Sequence, residues 1–320
     1  MNDEQNENRI IQRIIRKAGV PGLLDALVTR LSLSDLQSLL LDVYHRRVSR
    51  LRVADVLRNY TRNRFTRIAD VNPSEAAKFD SLAFGELPAG FEPIELSPVA
   101  PLGSSSVLAP VHQNKAVTTI RNTEVLCDPT NVMALECAVR RKAHGPDRVV
   151  KLCCSERLIR AQAFSGPATF PHFRVLSLCT AGRDTGHSAF ETESIVEHIE
   201  YYVRVIVAAE SIGYHATAVR VRLIVSSERM IPVVEGPIKE RLIRDCPDVT
   251  VETESQSTRP AGYYDAMRFN LFATNDAGQE YFLVDGGLTD WTRKLLQDRK
   301  ERLMTSGMGT ERFLLCFRRA

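Results

Sequence analysis

The second half of the chain carries an ordered series of arginine-bearing segments, and this series constrains the fold more than any other feature. Predicted strands separate the segments, which are residues 156–162 (ERLIRAQ), 171–174 (PHFR), 259–264 (RPAGYY) and 307–315 (GMGTERFLL). A fold that unites them must place strands from distant parts of the chain side by side. Guanidinium groups bind phosphate and carboxylate groups through paired hydrogen bonds, so the series indicates a site for an anionic ligand.

Length and composition exclude several classes of protein. The 320 residues can form one large core plus a smaller module, and 44% hydrophobic with 25% charged residues is typical of a soluble globular protein. No apolar run approaches the roughly 18 residues that span a bilayer, and the N-terminus is not signal-like. Seven cysteines without a Cys-x-x-Cys pair favour reduced thiols and argue against a metal site. We therefore expect a cytoplasmic protein without a membrane partner.

Residues 1–70 are predicted to form a helical N-terminal module. Apolar side chains recur there at helical spacing, beginning with Ile10, Ile14 and Ile15. Eight arginines stand between Tyr44 and residue 67 against one acid; they are at positions 46, 47, 50, 52, 58, 62, 64 and 67. They could contact RNA or another polyanion, or they could form a solvated or docking face. The second interpretation is favoured, because the whole chain has a net charge of only +3.

A linker over residues 71–90, which includes a short helix, is predicted to precede a core domain over residues 91–320. Strand patterns broken by turns begin at Phe91, and Val219, Val221 and Leu223 alternate with polar residues as in a half-buried strand. A capping box at residues 188–191 opens a long helix. Strands from distant segments that pair antiparallel, with helices packed against them, predict an α+β architecture.

In this order and spacing, the segments of residues 91–320 resemble the catalytic core of class II aminoacyl-tRNA synthetases, in particular histidyl-tRNA synthetase and its paralogues. Residues 149–182 resemble the second motif of the family, and residues 307–315 resemble the third. Residues 91–98 (FEPIELSP) resemble the strand that ends the first motif, which builds the dimer interface. The resemblance implies an antiparallel sheet flanked by helices, and a homodimer.

The resemblance also implies a nucleotide site, with ATP and Mg²⁺ as the expected cofactors. Arg160 matches the motif-two arginine that binds the α-phosphate and the substrate carboxylate, and Gln162 stands where the family has a glutamate. Phe173 matches the aromatic residue that stacks on adenine. Arg312, preceded by Glu311, matches the motif-three arginine on the other adenine face and the γ-phosphate.

The catalytic arginine of histidyl enzymes, which precedes a pair of tyrosines, corresponds to Arg259. A cation there would stabilise the charge that develops when a carboxylate attacks a phosphate. The paired tyrosines, Tyr263 and Tyr264, and the pocket residue His172 belong to the predicted substrate site. The catalytic set implied by the family is therefore Arg160, Arg259 and Arg312.

The substrate site departs from the family at several positions. Thr130 stands where the family has the acidic residue of an Arg-Pro-Glu turn, and Val175 and Cys179 replace residues expected to hold an α-ammonium. We expect these three residues to line a neutral end of the pocket without a carboxylate. Because a buried ammonium without a carboxylate partner costs about 3–5 kcal/mol, the expected substrate is a small carboxylic acid that lacks an adjacent amine.

Charging of tRNA is not expected. Residues 228–258 are too few for the helical insertion of histidyl enzymes, and no anticodon-binding domain follows the third motif.

Three function classes remain: an ATP-dependent, adenylate-forming ligase for a non-standard acid; a non-catalytic regulatory paralogue like the regulatory subunit of ATP phosphoribosyltransferase; and an RNA-binding or scaffold protein. Arg160 and the Glu311–Arg312 pair favour the ligase, which could serve a partner enzyme or carrier. Gln162, and the lack of basic residues in the motif-two loop, favour the regulator.

Overall fold

The structure, a computed structural model, describes residues 2–145, 147–162, 170–255 and 263–319. The predicted catalytic residue Arg259 lies outside the described residues. The chain divides into two compact units. The first comprises Met1–Asn63 with Thr119–Thr123, and the second comprises Arg64–Thr118 with Glu124–Ala320.

The first unit is helical. Its α-helices are α1 (Asn2–Ala18), α2 (Leu23–Asp25), which continues as a π turn, α3 (Leu33–Val48) and α4 (Val53–Arg62). The Ser32 hydroxyl caps α3 by accepting a hydrogen bond from the Asp35 amide at 3.1 Å. None of the described side chains of these helices is buried, and Leu57 of the amphipathic α4 is 64% exposed. The described side chains of this unit thus form no buried core of their own.

The second unit is an α+β domain. Its described helices are α5 (Pro73–Gly85), α6 (Pro129–His144), α7 (Ala189–Ala208), α8 (Ile231–Val233), α9 (Lys239–Asp245), α10 (Trp291–Leu296) and α11 (Thr310–Cys316). The strands of the described chain are β1 (Phe91–Pro93), β2 (Val99–Pro101), β3 (Thr123–Val125), β4 (Val150–Ile159), β5 (His172–Arg183), β6 (Ala218–Val225), β7 (Val249–Ser255), β8 (Met267–Thr274), β9 (Glu280–Thr289) and β10 (Glu301–Gly309). Within these residues no helix has the length and apolar character needed to cross a membrane.

Eight strands form one sheet in the order β1-β4-β5-β10-β9-β8-β6-β7, and β2 and β3 form a small second sheet. The six inner strands pair antiparallel, as predicted. The two edge pairs, β1 with β4 and β6 with β7, are parallel, so the sheet is mixed. Short helices connect β6 to β7, which is the kind of crossover that a parallel pair requires.

Apolar side chains cover both faces of the sheet. One cluster joins α5, α7 and α11 to residues such as Leu176 and Met304, and the other joins α6 and α10 to residues such as Cys179 and Leu303. Because neighbouring residues of a strand point to opposite faces, every second residue of β5, β9 and β10 faces α6. Helix α5 lies within the stretch predicted as a linker, and its Phe79 is fully buried 5.6 Å from Phe313.

Candidate functional site

A cavity of about 470 Å³ opens on the α6 face of the sheet, within the second unit. The N-terminus of α6 borders it on one side, and the end of β4, the first half of β5 and the start of α11 border it on another. Nine of the predicted site residues line the cavity: Thr130, Arg160, Gln162, Phe173, Val175, Tyr263, Tyr264, Glu311 and Arg312. The fold thus brings together predicted site residues that are far apart in the sequence. Thr130 and Arg312, for example, are separated by 182 positions.

Two predicted substrate residues do not belong to the cavity lining. Cys179 is fully buried behind it, with its thiol 3.9 Å from the Thr130 carbonyl oxygen. His172 donates from Nε2 to the carbonyl oxygen of Arg67 at 2.6 Å, and its Nδ1 lies 3.0 Å from Arg157. His172 therefore positions Arg157 and the chain near residue 67, and neither of these contacts directs its ring into the cavity.

Arg160 is held in place by three contacts. Its guanidinium carbon lies 5.3 Å from the ring centroid of Phe173, which is a cation–π distance. Its Nε donates to the carbonyl oxygen of Cys127 at 3.1 Å, and its Nη2 lies 3.5 Å from the Asp128 carboxylate. The side chain is one-third exposed, so it presents an oriented positive charge to the cavity.

The start of α11 supplies a second arginine and a carboxylate. Arg312 donates to the carbonyl oxygen of Phe282 at 2.8 Å. Glu311 is buried and accepts a hydrogen bond from Arg157 through Oε1, whereas its Oε2 has no partner among the described residues. A buried carboxylate oxygen without a partner is costly, which makes Oε2 a candidate contact for a bound cation or donor.

Two aspartates that the sequence reasoning did not assign also line the cavity. Asp128 caps α6: its Oδ1 accepts from the Thr130 amide and hydroxyl at 3.0 and 2.8 Å, and its Oδ2 accepts from the Tyr263 hydroxyl at 2.7 Å. Asp285 accepts from the Asn270 amide at 3.0 Å and from the Tyr264 hydroxyl. Burial raises the pKa of Asp285 to about 6, although these hydrogen bonds and the charge of Arg268 act in the opposite direction.

The expectation of a neutral pocket end without a carboxylate is therefore wrong. Thr130 and Val175 do line the cavity, but Asp128 is hydrogen-bonded to Thr130 itself. Neither Asp128 nor Asp285 stands at a position where the resemblance implies a ligand contact. The sequence did contain one sign that Asp285 belongs to the site. It stands two residues before Gly287 on a strand, so both residues point to the α6 face of the sheet.

The strand register sets the depth of the cavity. Gly307 of β10 pairs with Asp285 on one side and Ser177 on the other, so these three residues form a row across the sheet. Gly307 leaves the middle of this row open, since a Cβ atom there would lie only 3.0 Å from Val175 Cγ1. A Cβ atom at Gly287 would lie 2.6 Å from the ring of Tyr264, so glycine is what allows that ring to lie against the sheet.

Cations outnumber anions along the cavity wall. Within the lining, Arg174 is paired with Asp80 at 3.0 Å and Glu311 is paired with Arg157. The remaining charged side chains of the lining are Lys115, Arg160, Arg268 and Arg312 against Asp128 and Asp285. The site is therefore suited to a ligand with net negative charge that also carries hydrogen-bond donors.

The large mixed sheet flanked by helices, with this cavity on one face, defines a fold of the class II aminoacyl-tRNA synthetase type. Similar solved structures include an ATP phosphoribosyltransferase regulatory subunit/histidyl-tRNA synthetase from Bacillus halodurans, with a TM-score of 0.58 and 12% identity over 78% of this chain and 80% of that one. Apo histidyl-tRNA synthetase from S. aureus has a TM-score of 0.55 and 14% identity, over 77% of this chain and 67% of that one.

A threonyl-tRNA synthetase structure from Cryptosporidium parvum, described as its RNA-binding domain, has a TM-score of 0.54 and 10% identity. That match covers 76% of this chain and 62% of the other. No protein-family profile and no curated protein sequence matches the chain. The predicted fold class is confirmed, and at these identities the structural likeness concerns the fold alone.

Proposed function

We propose that this protein is an ATP-dependent ligase that activates the carboxylate of a small acid as an acyl-adenylate. The observation that carries the proposal is the shared cavity of Arg160, Phe173 and Arg312. These are the side chains that the resemblance assigns to the phosphate and adenine contacts. An aromatic ring and guanidinium groups are suited to a planar base and its phosphates.

The residues present fit a nucleotide. Phe173 and Arg312 would bind the base, each contact contributing on the order of 1 kcal/mol, and Arg160 and Lys115 would contact phosphate oxygens. Glu311, whose Oε2 has no partner among the described residues, would hold Mg²⁺, which would supply positive charge to neutralise the phosphates.

The chemical step would form a bond between the acid and the nucleotide. A carboxylate oxygen attacks the α-phosphorus of ATP, the bond to the β-phosphate oxygen breaks, and pyrophosphate leaves with the electron pair. Negative charge develops on the α-phosphate oxygens during this step. Arg160 would stabilise that charge, and its contacts with Cys127 and Asp128 hold it in position beforehand.

Calorimetric titration of ATP tests the nucleotide site. We expect the wild type to bind ATP and Arg312→Ala to lose at least about tenfold in affinity, which corresponds to about 1.4 kcal/mol. Arg299→Ala, which removes an exposed arginine outside the cavity lining, is the matched control and should bind as the wild type does. An unchanged affinity in Arg312→Ala would contradict the assignment of that residue.

A regulatory role is the second candidate. It is favoured by one observation, the proximity of Asp128 to Arg160, because this carboxylate partly neutralises the cation that a phosphate would need. One of the similar structures also bears the name of a regulatory subunit. Under this alternative, the cavity binds a small ligand but the protein forms no adenylate with any acid and binds a partner enzyme instead.

A further inference from the structure

The inner end of the cavity contains polar groups whose hydrogen-bonding capacity is not satisfied by the described residues. We define this inner end by Asn131, Ser177 and Asp285, all of which line the cavity. Asn131 is 1% exposed, and neither its amide nitrogen nor its amide oxygen has a partner among the described residues. The Ser177 hydroxyl is fully buried and likewise unpaired there.

Such groups are rarely left unpaired in a folded protein. Each unsatisfied buried donor or acceptor costs about 1–3 kcal/mol, so the three atoms of this kind on Asn131 and Ser177 are a sign of a bound polar group. Asp285 adds a negative charge whose hydrogen-bond partners, Asn270 and Tyr264, are neutral, although the charge of Arg268, which also lines the cavity, acts to lower the pKa of this carboxyl. The inner end therefore offers a carboxylate, two further acceptors and an amide donor to a ligand.

The spacing along β5 relates this end to the proposed nucleotide site. Ser177 lies four residues beyond Phe173, which is about 13 Å at the rise of a β-strand. Arg160 lies over Phe173, at the outer end of the same cavity. An acid whose carboxylate reaches Arg160 would therefore extend its far end towards Asp285.

We propose that Asp285, with Asn131 and Ser177, binds a cationic hydrogen-bond donor, such as a protonated amine, at the end of the substrate remote from its reacting carboxylate. This inference rests on the proposed function and names the substrate class as an acid with a distal cationic group. It adds a distal cationic group to the acid without an adjacent amine that the sequence alone suggested. The sequence position of Asp285 matches none of the family contacts identified above, so the assignment depends on the register of β9 and β10.

Pairs of acids that differ only in the distal group test the proposal. The probes are γ-aminobutyrate with valerate and δ-aminovalerate with hexanoate, in which a methyl group replaces the ammonium at nearly equal size. Affinities are measured by calorimetry with and without ATP. We expect the wild type to bind at least one amino acid of a pair about tenfold or more tightly than its methyl counterpart, as a charge-assisted hydrogen bond implies.

Asp285→Asn should remove most of this preference, and the control Asp248→Asn, at an exposed position outside the lining, should keep it. The proposal is overturned if the wild type binds both members of each pair equally, if it binds neither amino acid under either condition, or if Asp285→Asn keeps the preference. Because ATP affinity is measured separately on the same proteins, a normal ATP affinity without amine preference overturns this inference alone. Absence of ATP binding counts against the ligase.

Discussion

Asp285 should decrease the stability of the unliganded protein, and its removal should therefore stabilise the fold at neutral and alkaline pH. Burial raises the pKa of this carboxyl from 3.8 to about 6. Between these values the folded state binds more protons than the unfolded state, so stability decreases as the pH rises through this range. The loss is complete above about pH 6 and absent well below pH 4.

The two pKa values set the size of the effect. A shift of about two units corresponds to about 3 kcal/mol at 1.36 kcal/mol per unit. This is an upper bound, because Asp285 is only partly buried and water in the cavity screens its charge. We expect Asp285→Asn, which keeps an acceptor for Asn270, to raise the free energy of unfolding at pH 8 by about 1–2 kcal/mol.

Urea unfolding of the wild type and Asp285→Asn at pH 8 and near pH 4 measures the difference. The gain should be present at pH 8 and should largely vanish near pH 4, where the wild-type carboxyl is also protonated. Asp248→Asn, at an exposed position, controls for the loss of one negative charge. A destabilised Asp285→Asn at pH 8, or the same gain at both pH values, would refute the reasoning.

Three further predictions follow from other parts of the structure. Light scattering at tens of micromolar should show a homodimer, because residues 91–98 resemble the family's interface strand; a monomer would contradict this. Val175→Ala should change which acids bind while ATP affinity stays within about twofold, since Val175 lines the cavity beside Gly307; calorimetry with both ligands decides. Glu301→Gln should destabilise the fold by about 3–5 kcal/mol, because it leaves the fully buried Arg141 guanidinium without its bidentate partner at 2.6 and 2.7 Å; denaturant unfolding showing a loss below about 1 kcal/mol would contradict it.

The sequence predicted the α+β class because its strong signals are local. Strand alternation, the capping box near residue 188 and the order of the arginine segments each depend on a few neighbouring residues. The same local signals predicted that Arg160, Phe173 and Arg312 share a site, and all three line one cavity. The parallel edges of the sheet were not predicted, because β1 has only three residues and the alternation of β7 does not show in which direction that strand pairs.

The inner end of the cavity could not be predicted because it depends on pairing between strands. Ser177 and Asp285 come together only through their shared partner Gly307, and a shift of one residue in register would turn either side chain to the other face. Asn131 reaches the same place from the first turn of α6. No sequence motif joins these residues, whose separate segments gave no sign of a common ligand.

Hydroxamate formation tests most directly whether the protein forms an acyl-adenylate in this cavity. The protein is incubated with ATP, Mg²⁺, hydroxylamine and a panel that includes the amino acids and methyl counterparts above. An adenylate would be trapped as a hydroxamate, with release of AMP and pyrophosphate in equal amounts. We expect hydroxamate and pyrophosphate for at least one acid with a distal amine, and their loss in Arg160→Ala. No product with any acid, from a protein that binds those acids, would contradict the ligase and favour the regulatory role.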